Sequence, residues 1–276
     1  MINDQYNFNN RIMDFTIPKI MGIVNVTPDS FSDGGKYFYL DSAADRALKL
    51  IDDGADIIDI GGESTRPGSD PVSVAEEINR TIPVIKKIIG LRNDVIISID
   101  TTKSEVAKQA LDSGAQIIND ISGLTFDYNM INTAKEFDAA VVIMHIKGNP
   151  KTMQNNPHYD DVVKEVYDFL LGQSIKAKQN GIEKIIVDPG IGFGKNVNDN
   201  FTLIKNLDYF QSLGYPVMIG LSKKSFIGKT LNLDSDEREI GTVVLETISI
   251  LKSARIIRTH NVKYCTQIVK LVSHII

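Results

Sequence analysis

The chain of 276 residues has a single cysteine, Cys265, so no disulfide can form within it. A lone thiol of this kind reads as a small apolar filler and suits a reducing cytoplasm. There is no run of 18 or more apolar residues, so no membrane-spanning helix is expected. The opening stretch MINDQYNFNNRIMDF lacks the basic start and apolar centre of a secretion signal, which again points to the cytoplasm. A basic excess is missing too: the formal charge is −5, which argues against a nucleic-acid partner but leaves room for a local basic pocket. Neither HExxH nor paired CxxC occurs, so a structural zinc site is not expected. The glycine-bearing run DPGIGFGK, residues 188 to 195, fails both nucleotide-loop patterns. Its glycines are too close together for a Walker loop, Asn196 stands where Ser or Thr is needed, and Lys195 occupies the third glycine position of GxGxxG. It reads instead as a tight connection that lets Phe193 or the backbone approach a ligand. No Pro- or Gly-rich linker divides the chain.

What is present is an ordinary soluble composition, 42% hydrophobic and 24% charged, with material for a large core. Eight short runs rich in Val and Ile recur along it: KIMGIVNV (19 to 26), DIIDIGG (56 to 62), VIISID (95 to 100), QIIND (116 to 120), AAVVIMH (139 to 145), KIIVDPG (184 to 190), PVMIGLS (216 to 222) and RIIRTH (255 to 260). They are near-continuous in apolar residues rather than alternating, which fits parallel strands covered on both faces. Segments of helical period lie between them, several ending at a glycine just before the next strand, as in DDGAD, DSGAQ and QNGIEK. Eight strand and helix units in this length is the arithmetic of an α/β protein built as a single-domain (β/α)8 TIM barrel. That places the barrel at residues 19 to 276, with residues 1 to 18 as an N-terminal extension.

A doubly wound open sheet has the same periodicity, and the polar residues decide between the two. Nearly every run carries a polar group at its C-terminal end: Asn25, Glu63, Asp100, Asn119 with Asp120, His145, Asp188, Ser222 with Lys224, and Arg258 with His260. An open sheet would spread these ends along about 30 Å, at roughly 4.8 Å per strand. A barrel gathers them on one rim, where barrel enzymes build their sites. Asp100, Asn119 and Asp188 could hydrogen-bond the edge of a flat heterocycle such as a purine or a pterin. Lys224, Arg258 and His260 are suited to a phosphate group, and Arg258 and His260, two apart, share a side if both stay on the strand. Asn25 and the acidic loop after it could meet a hard cation that accompanies pyrophosphate. Taken singly, these residues have plainer readings: Asp100 before TTKSEVAKQAL could cap a helix, and Asn119 with Asp120 could form a turn.

The motifs carry a resemblance. MGIVNVTPDSFSDGG at 21 to 35, DIGGESTRPGS at 59 to 69, SIDTTK at 98 to 103, INDISG at 118 to 123, MHIKGNPKTMQ at 144 to 154, DPGIGFGK, GLSKKSFIG at 220 to 228 and RTHNV at 258 to 262 together resemble the bacterial dihydropteroate synthases of the pterin-binding barrel superfamily, over essentially the full length. The resemblance implies a transferase of folate biosynthesis that condenses hydroxymethyl-dihydropterin pyrophosphate with p-aminobenzoate, with Mg2+ as the cofactor. It implies that Asp100, Asn119, Met144, Asp188, Phe193 and Lys224 hold the pterin. Asn25, Arg258 and His260 would hold the pyrophosphate, with Asn25 reaching it partly through the metal. Phe31, Thr65, Arg66 and Ser222 would serve p-aminobenzoate, on loops at 27 to 35 and 64 to 67 that close over the substrates. Asp100, Lys224, Asp33 and Arg66 would be the catalytic residues. A homodimer with an interface on the last helices is implied as well. No partner beyond the small-molecule substrates and a second copy is expected.

Two departures from the usual family pattern stand out: Lys223 and Lys151 occupy positions where Arg is common, which keeps the charge and loses a planar fork. Two other functions share this kind of barrel. A methyltetrahydrofolate-dependent methyl transferase would not need the pyrophosphate groups or the closing loop, and a non-catalytic binding paralogue should have lost Asp33, Asp100 or Arg258.

Overall fold

The computed structural model describes residues 5–8, 11–26, 36–65 and 68–275. Eight parallel strands form the sheet expected from the apolar runs: β3 (Lys19–Asn25), β4 (Ile57–Gly61), β5 (Ile96–Asp100), β6 (Ile117–Asp120), β7 (Ala140–Met144), β8 (Ile185–Asp188), β9 (Met218–Gly220) and β10 (Ile256–Thr259). Their order is β8-β7-β6-β5-β4-β3-β10-β9. The ends of this row come together through a single parallel bridge, Val187 with Val217, where the Val187 N–H donates to Pro216 O at 3.0 Å. This is the nearly closed (β/α)8 barrel.

Around it run α1 (Lys36–Asp52), α2 (Val74–Leu91), α3 (Ser104–Asp112), α4 (Met130–Glu136), α5 (Val162–Gln179), α6 (Val197–Lys205), α7 (Ser225–Leu231), α8 (Glu239–Leu251) and α9 (Val262–Val272). Local chemistry fixes several starts. Ser73 accepts from the Glu76 N–H to cap α2, Asp161 accepts from Val163 and Lys164 at α5, and Asn196 with Asp199 forms a reciprocal capping box at α6. The expected helix stops at Gly54, Gly114 and Gly181 all have positive φ. The main core lies between sheet and helices, where outward residues such as Ile58, Ile97, Ile118, Val141 and Val187 meet α-helical side chains.

Alternate residues of the same strands fill the barrel. Near its N-terminal end they are apolar: Met21, Ile57, Ile96, Ile117, Ile186 and Ile256 form one buried cluster. The cluster also contains Tyr6, Phe8, Met13 and Phe15, which belong to residues expected to lie outside the barrel. They come from an antiparallel hairpin, β1 (Gln5–Phe8) with β2 (Arg11–Asp14), and the residue just after it. Tyr6 and Phe15 pack edge to face with centroids 5.2 Å apart, and the Tyr6 hydroxyl donates to Ile185 O. The hairpin therefore stoppers the floor of the barrel.

Phe15 has no solvent exposure. Phe15→Ala is expected to cost about 3–5 kcal/mol, read as a lower midpoint of urea unfolding. A loss below about 1 kcal/mol would show that the hairpin is not part of the core.

Candidate active site

Strand register gathers the polar ends. Asn25 pairs with Gly61, Gly61 with Asp100 and Asp100 with Asn119, so four neighbouring strands end in one row. Met144 pairs with Asp188 across β7 and β8. A cleft opens at this end of the barrel, and all six side chains expected to hold a pterin line it: Asp100, Asn119, Met144, Asp188, Phe193 and Lys224. Arg258 and Thr65 line it too.

Its floor is a charge cluster that the sequence reading missed in part. Arg258 donates from Nε to Asp59 at 2.7 Å and from Nη2 to Asp100 at 2.6 Å. Asp59 also accepts from the Asn119 amide at 3.0 Å. Asp59 has no solvent exposure, and such a carboxylate is tolerable only with a cation and donors beside it. Its one signal in the sequence is a charge at an inward position of the apolar run DIIDIGG. The third guanidinium nitrogen, Nη1, makes no hydrogen bond among the described residues. Asp100 does not cap a helix: the first N–H of α3, at Ser104, is taken by Asp127 at 2.8 Å. Asp120 does make the turn expected of it, accepting from the Ser122 and Leu124 N–H groups.

Burial raises the Asp100 carboxyl to about 7, with Arg258 pulling it back and Asp59 adding to the rise. Burial also raises Asp188, against the 2.7 Å bond from the Gly190 N–H and the charge of Lys224. Lys224 falls to about 8, through burial and then Arg258, and its ammonium sits 4.1 Å from the centre of the Phe193 ring. Asp59 and Asp100 hold Arg258 above its ordinary value in spite of burial. The cleft thus offers two carboxylates, an amide and an ammonium between the apolar walls of Met144 and Phe193. It suits a flat molecule with several ring nitrogens.

The Phe193 wall is braced from behind. Lys195, 2% exposed, donates to Phe193 O at 3.0 Å and to His145 O at 3.3 Å, and shares a proton bond of 2.9 Å with His145 Nδ1. Burial and then Lys195 lower His145 to about 2, so this ring is neutral. His145 was expected on the rim; it lies behind the cleft wall instead and does not line the cleft. Gly190 makes the close approach possible, with φ of +70° and a site where an added Cβ would stand 1.9 Å from His145 O.

At the mouth, His260 lies one residue beyond β10 and its Nδ1 is 3.0 Å from Ser222 Oγ. Asn25 ends β3, half-buried, and its side chain makes no hydrogen bond among the described residues. Among those residues no group of three or more His, Cys, Asp or Glu side chains could hold a metal ion. Among the described residues the Asn25 amide oxygen is the donor that fits an ion which keeps most of its water, as Mg2+ does beside phosphates. Phe31, Asp33 and Arg66 lie outside the described residues. Lys223 turns toward Asp236 at 3.9 Å, and Lys151 toward Asp70 at 3.4 Å. No helix among the described residues is long and apolar enough to cross a membrane.

Residues 21–260 match the model of the family described as pterin binding enzyme. The chain is 44% identical over 265 residues to the dihydropteroate synthase of Haemophilus influenzae, covering 95% of this chain and 96% of that one. A crystal structure of the Yersinia pestis dihydropteroate synthase with a sulfonamide drug complex superposes with a TM-score of 0.92 at 38% identity, covering 98% of each chain. The Xanthomonas albilineans dihydropteroate synthase with 4-aminobenzoic acid gives 0.92 at 37% identity, covering 99% of this chain and 98% of that one.

Arg258→Met leaves two buried carboxylates without this cation and is expected to destabilise the fold by about 3–5 kcal/mol. The folded-state value of Asp100 already lies above its unfolded one, so protonation relieves the strain. The deficit should therefore be smaller at pH 5 than at pH 8 in urea unfolding. A deficit that does not change with pH would show that charge pairing is not what Arg258 supplies.

Proposed function

This chain belongs to the pterin-binding enzyme family, and we propose that it is a transferase that condenses 6-hydroxymethyl-7,8-dihydropterin pyrophosphate with p-aminobenzoate, giving 7,8-dihydropteroate and pyrophosphate for folate synthesis. The observation that carries the reading is the cleft lined together by Asp100, Asn119, Asp188, Lys224 and Arg258, with Met144 and Phe193 as its apolar walls. The relatives and neighbours that share both the fold and most of the chain support it.

In this reading Asp100, Asn119, Asp188 and Lys224 bond the pterin edges, while Met144 and Phe193 lie against its faces. The bond between the pterin methylene carbon and the pyrophosphate oxygen breaks, and its electron pair leaves with the oxygen. Ionised Asp100 stabilises the cation left on the pterin. The unengaged Nη1 of Arg258, with His260 steadied by Ser222, receives the departing pyrophosphate. Mg2+, held through Asn25 and the pyrophosphate itself, would neutralise charge on the leaving group. The amine nitrogen of p-aminobenzoate forms the new C–N bond with its lone pair and then gives one proton to water. No strong base is needed, because an aromatic amine is uncharged near neutrality. Thr65, Ser222, Phe31 and Arg66 serve p-aminobenzoate, and Asp33 and Arg66 act with Asp100 and Lys224 in catalysis. Those on the two loops help keep water from the cation.

We also read the chain as a homodimer. On α8, Ile240, Val244, Ile248 and Leu251 recur at helical spacing on the outer side, with Ile240 79% and Val244 50% exposed. Tyr264 and Leu271 of α9, the latter 69% exposed, line a groove with Ile240 of α8. An apolar stripe of this kind on two adjacent helices suits a self-complementary contact.

A mass-spectrometric assay with the pterin pyrophosphate, p-aminobenzoate and Mg2+ is expected to yield dihydropteroate and pyrophosphate from the wild type, and about 100-fold less from Asp100→Asn. A wild type that binds the pterin but makes neither product would return the chain to the non-catalytic reading. Sedimentation of the wild type should give the mass of two chains, and Val244→Glu that of one. A wild type that sediments as one chain at micromolar concentration would sink the dimer.

A further inference from the structure

The loop from β4 to α2 carries Thr65 to the mouth of the cleft, and its two ends are fastened by one carboxylate. Glu63, two residues before Thr65, accepts at Oε2 from the Val72 N–H at the far end of the loop, 3.2 Å away. The same oxygen accepts from Lys103 Nζ. Lys103 in turn donates to Glu77 Oε2 at 2.5 Å. Glu77, in the first turn of α2, has no solvent exposure, and its other oxygen has no partner among the described residues. Lys103 is therefore the shared cation of two carboxylates, one of them fully buried.

Lys103 has a second connection. It sits three residues after Asp100, just before α3, with its N–H held by Thr101 Oγ1 at 3.2 Å. It thus ties the strand that ends in Asp100 to both ends of the loop that carries Thr65. Neighbouring contacts keep the root of the loop in place: Arg80 donates to Gly62 O at 2.9 Å, and Ser69 donates to Ser64 O at 2.5 Å. Burial pulls the Lys103 ammonium down, yet its bonds to Glu63 and Glu77 hold it above the ordinary lysine value. Lys103 therefore carries its charge at neutral pH.

We propose that Lys103, through Glu63, is a positioning residue for the amine substrate: it holds the β4–α2 loop so that Thr65 stands at the cleft, without itself lining it. This rests on the proposed condensation for the identity of that substrate. An ion pair that served only the fold would lower stability and affect both substrates alike. A positioning pair acts on one of them, because the pterin groups Asn119, Asp188 and Lys224 are held by other contacts.

The test compares full-length wild type, Lys103→Met, Lys103→Arg and the double variant Lys103→Met with Glu77→Gln. The double variant removes the unpaired buried charge, so that a folded protein without the link is available. Lys103→Met and the double variant are expected to raise KM for p-aminobenzoate about tenfold, with KM for the pterin pyrophosphate within about threefold of wild type. Lys103→Arg should restore most of the difference. Without substrate, hydrogen exchange over residues 62 to 73, which include the Val72 amide, should be faster in the two Met variants. If both KM values move together, or exchange over that segment is unchanged in the double variant, the proposal is overturned. Failure of the condensation itself would show as a wild type that makes no dihydropteroate, and the exchange comparison would then still decide whether Lys103 holds the loop.

Discussion

A guanidinium inside a barrel must be paired, and the rest of the site follows from how Arg258 meets that demand. Two carboxylates from neighbouring strands, Asp59 and Asp100, take its Nε and Nη2, and Asn119 donates to the same Asp59 oxygen from the next strand. Each partner is restrained by another, so the cluster fixes where Asp100 stands and how strongly it resists ionising. In water such a set would be loose and cheap to rearrange. In the dry interior the mutual attractions are stronger and the penalty for an unpaired member is larger. A rigid polar floor is the result, with Nη1 of the guanidinium unengaged among the described residues.

The cluster rests on a division of labour within each strand. Met21, Ile57 and Ile96 give the floor its apolar packing, while Asn25, Asp59, Asp100 and their neighbours, an even number of residues further on, give the chemistry. Stability and function are thus carried by the same strands in different layers. The hairpin supplies the closing piece at the apolar end with the rings of Tyr6, Phe8 and Phe15 and with Met13, since aromatic side chains bury large areas each.

The barrel and the polar cleft residues Asp100, Asn119, Asp188 and Lys224 were legible because strand ends are marked twice, by the stop of an apolar run and by the polar residue there; Met144 and Phe193 came from the family resemblance, with the tight DPGIGFGK connection as the one local sign of Phe193. Asn119 and Asp188 are clear cases. Asp59 was not legible: it lies within a run, and nothing local tells an inward carboxylate awaiting a distant arginine from one at a strand's edge. The Arg258 partnership spans 199 positions of sequence. Tyr6, Phe8 and Phe15 were set aside as an extension because two short strands without a third have no independent reason to be ordered. His145 misled for the opposite reason, since a polar residue at a run's end can brace a wall as well as face a ligand. Glu63 was expected on the rim; it lies two residues beyond β4 and outside the cleft lining, and its tie to Lys103 depends on how α2 packs against β4 and α3.

The seam of the barrel has a mechanical meaning. Elsewhere around the ring, neighbouring strands share three to five register pairs, whereas β8 and β9 share one bridge. Asp188 comes directly after Val187 on one lip of that seam, and Lys224 follows β9 on the other. Two of the four polar groups that frame the flat space therefore stand on opposite banks of the least-stitched join in the molecule. Local opening concentrates where backbone bonds are fewest. Asp188 and Lys224 thus lie across the join with the fewest backbone pairs, while Asp100 and Asn119 stand on strands paired on both sides.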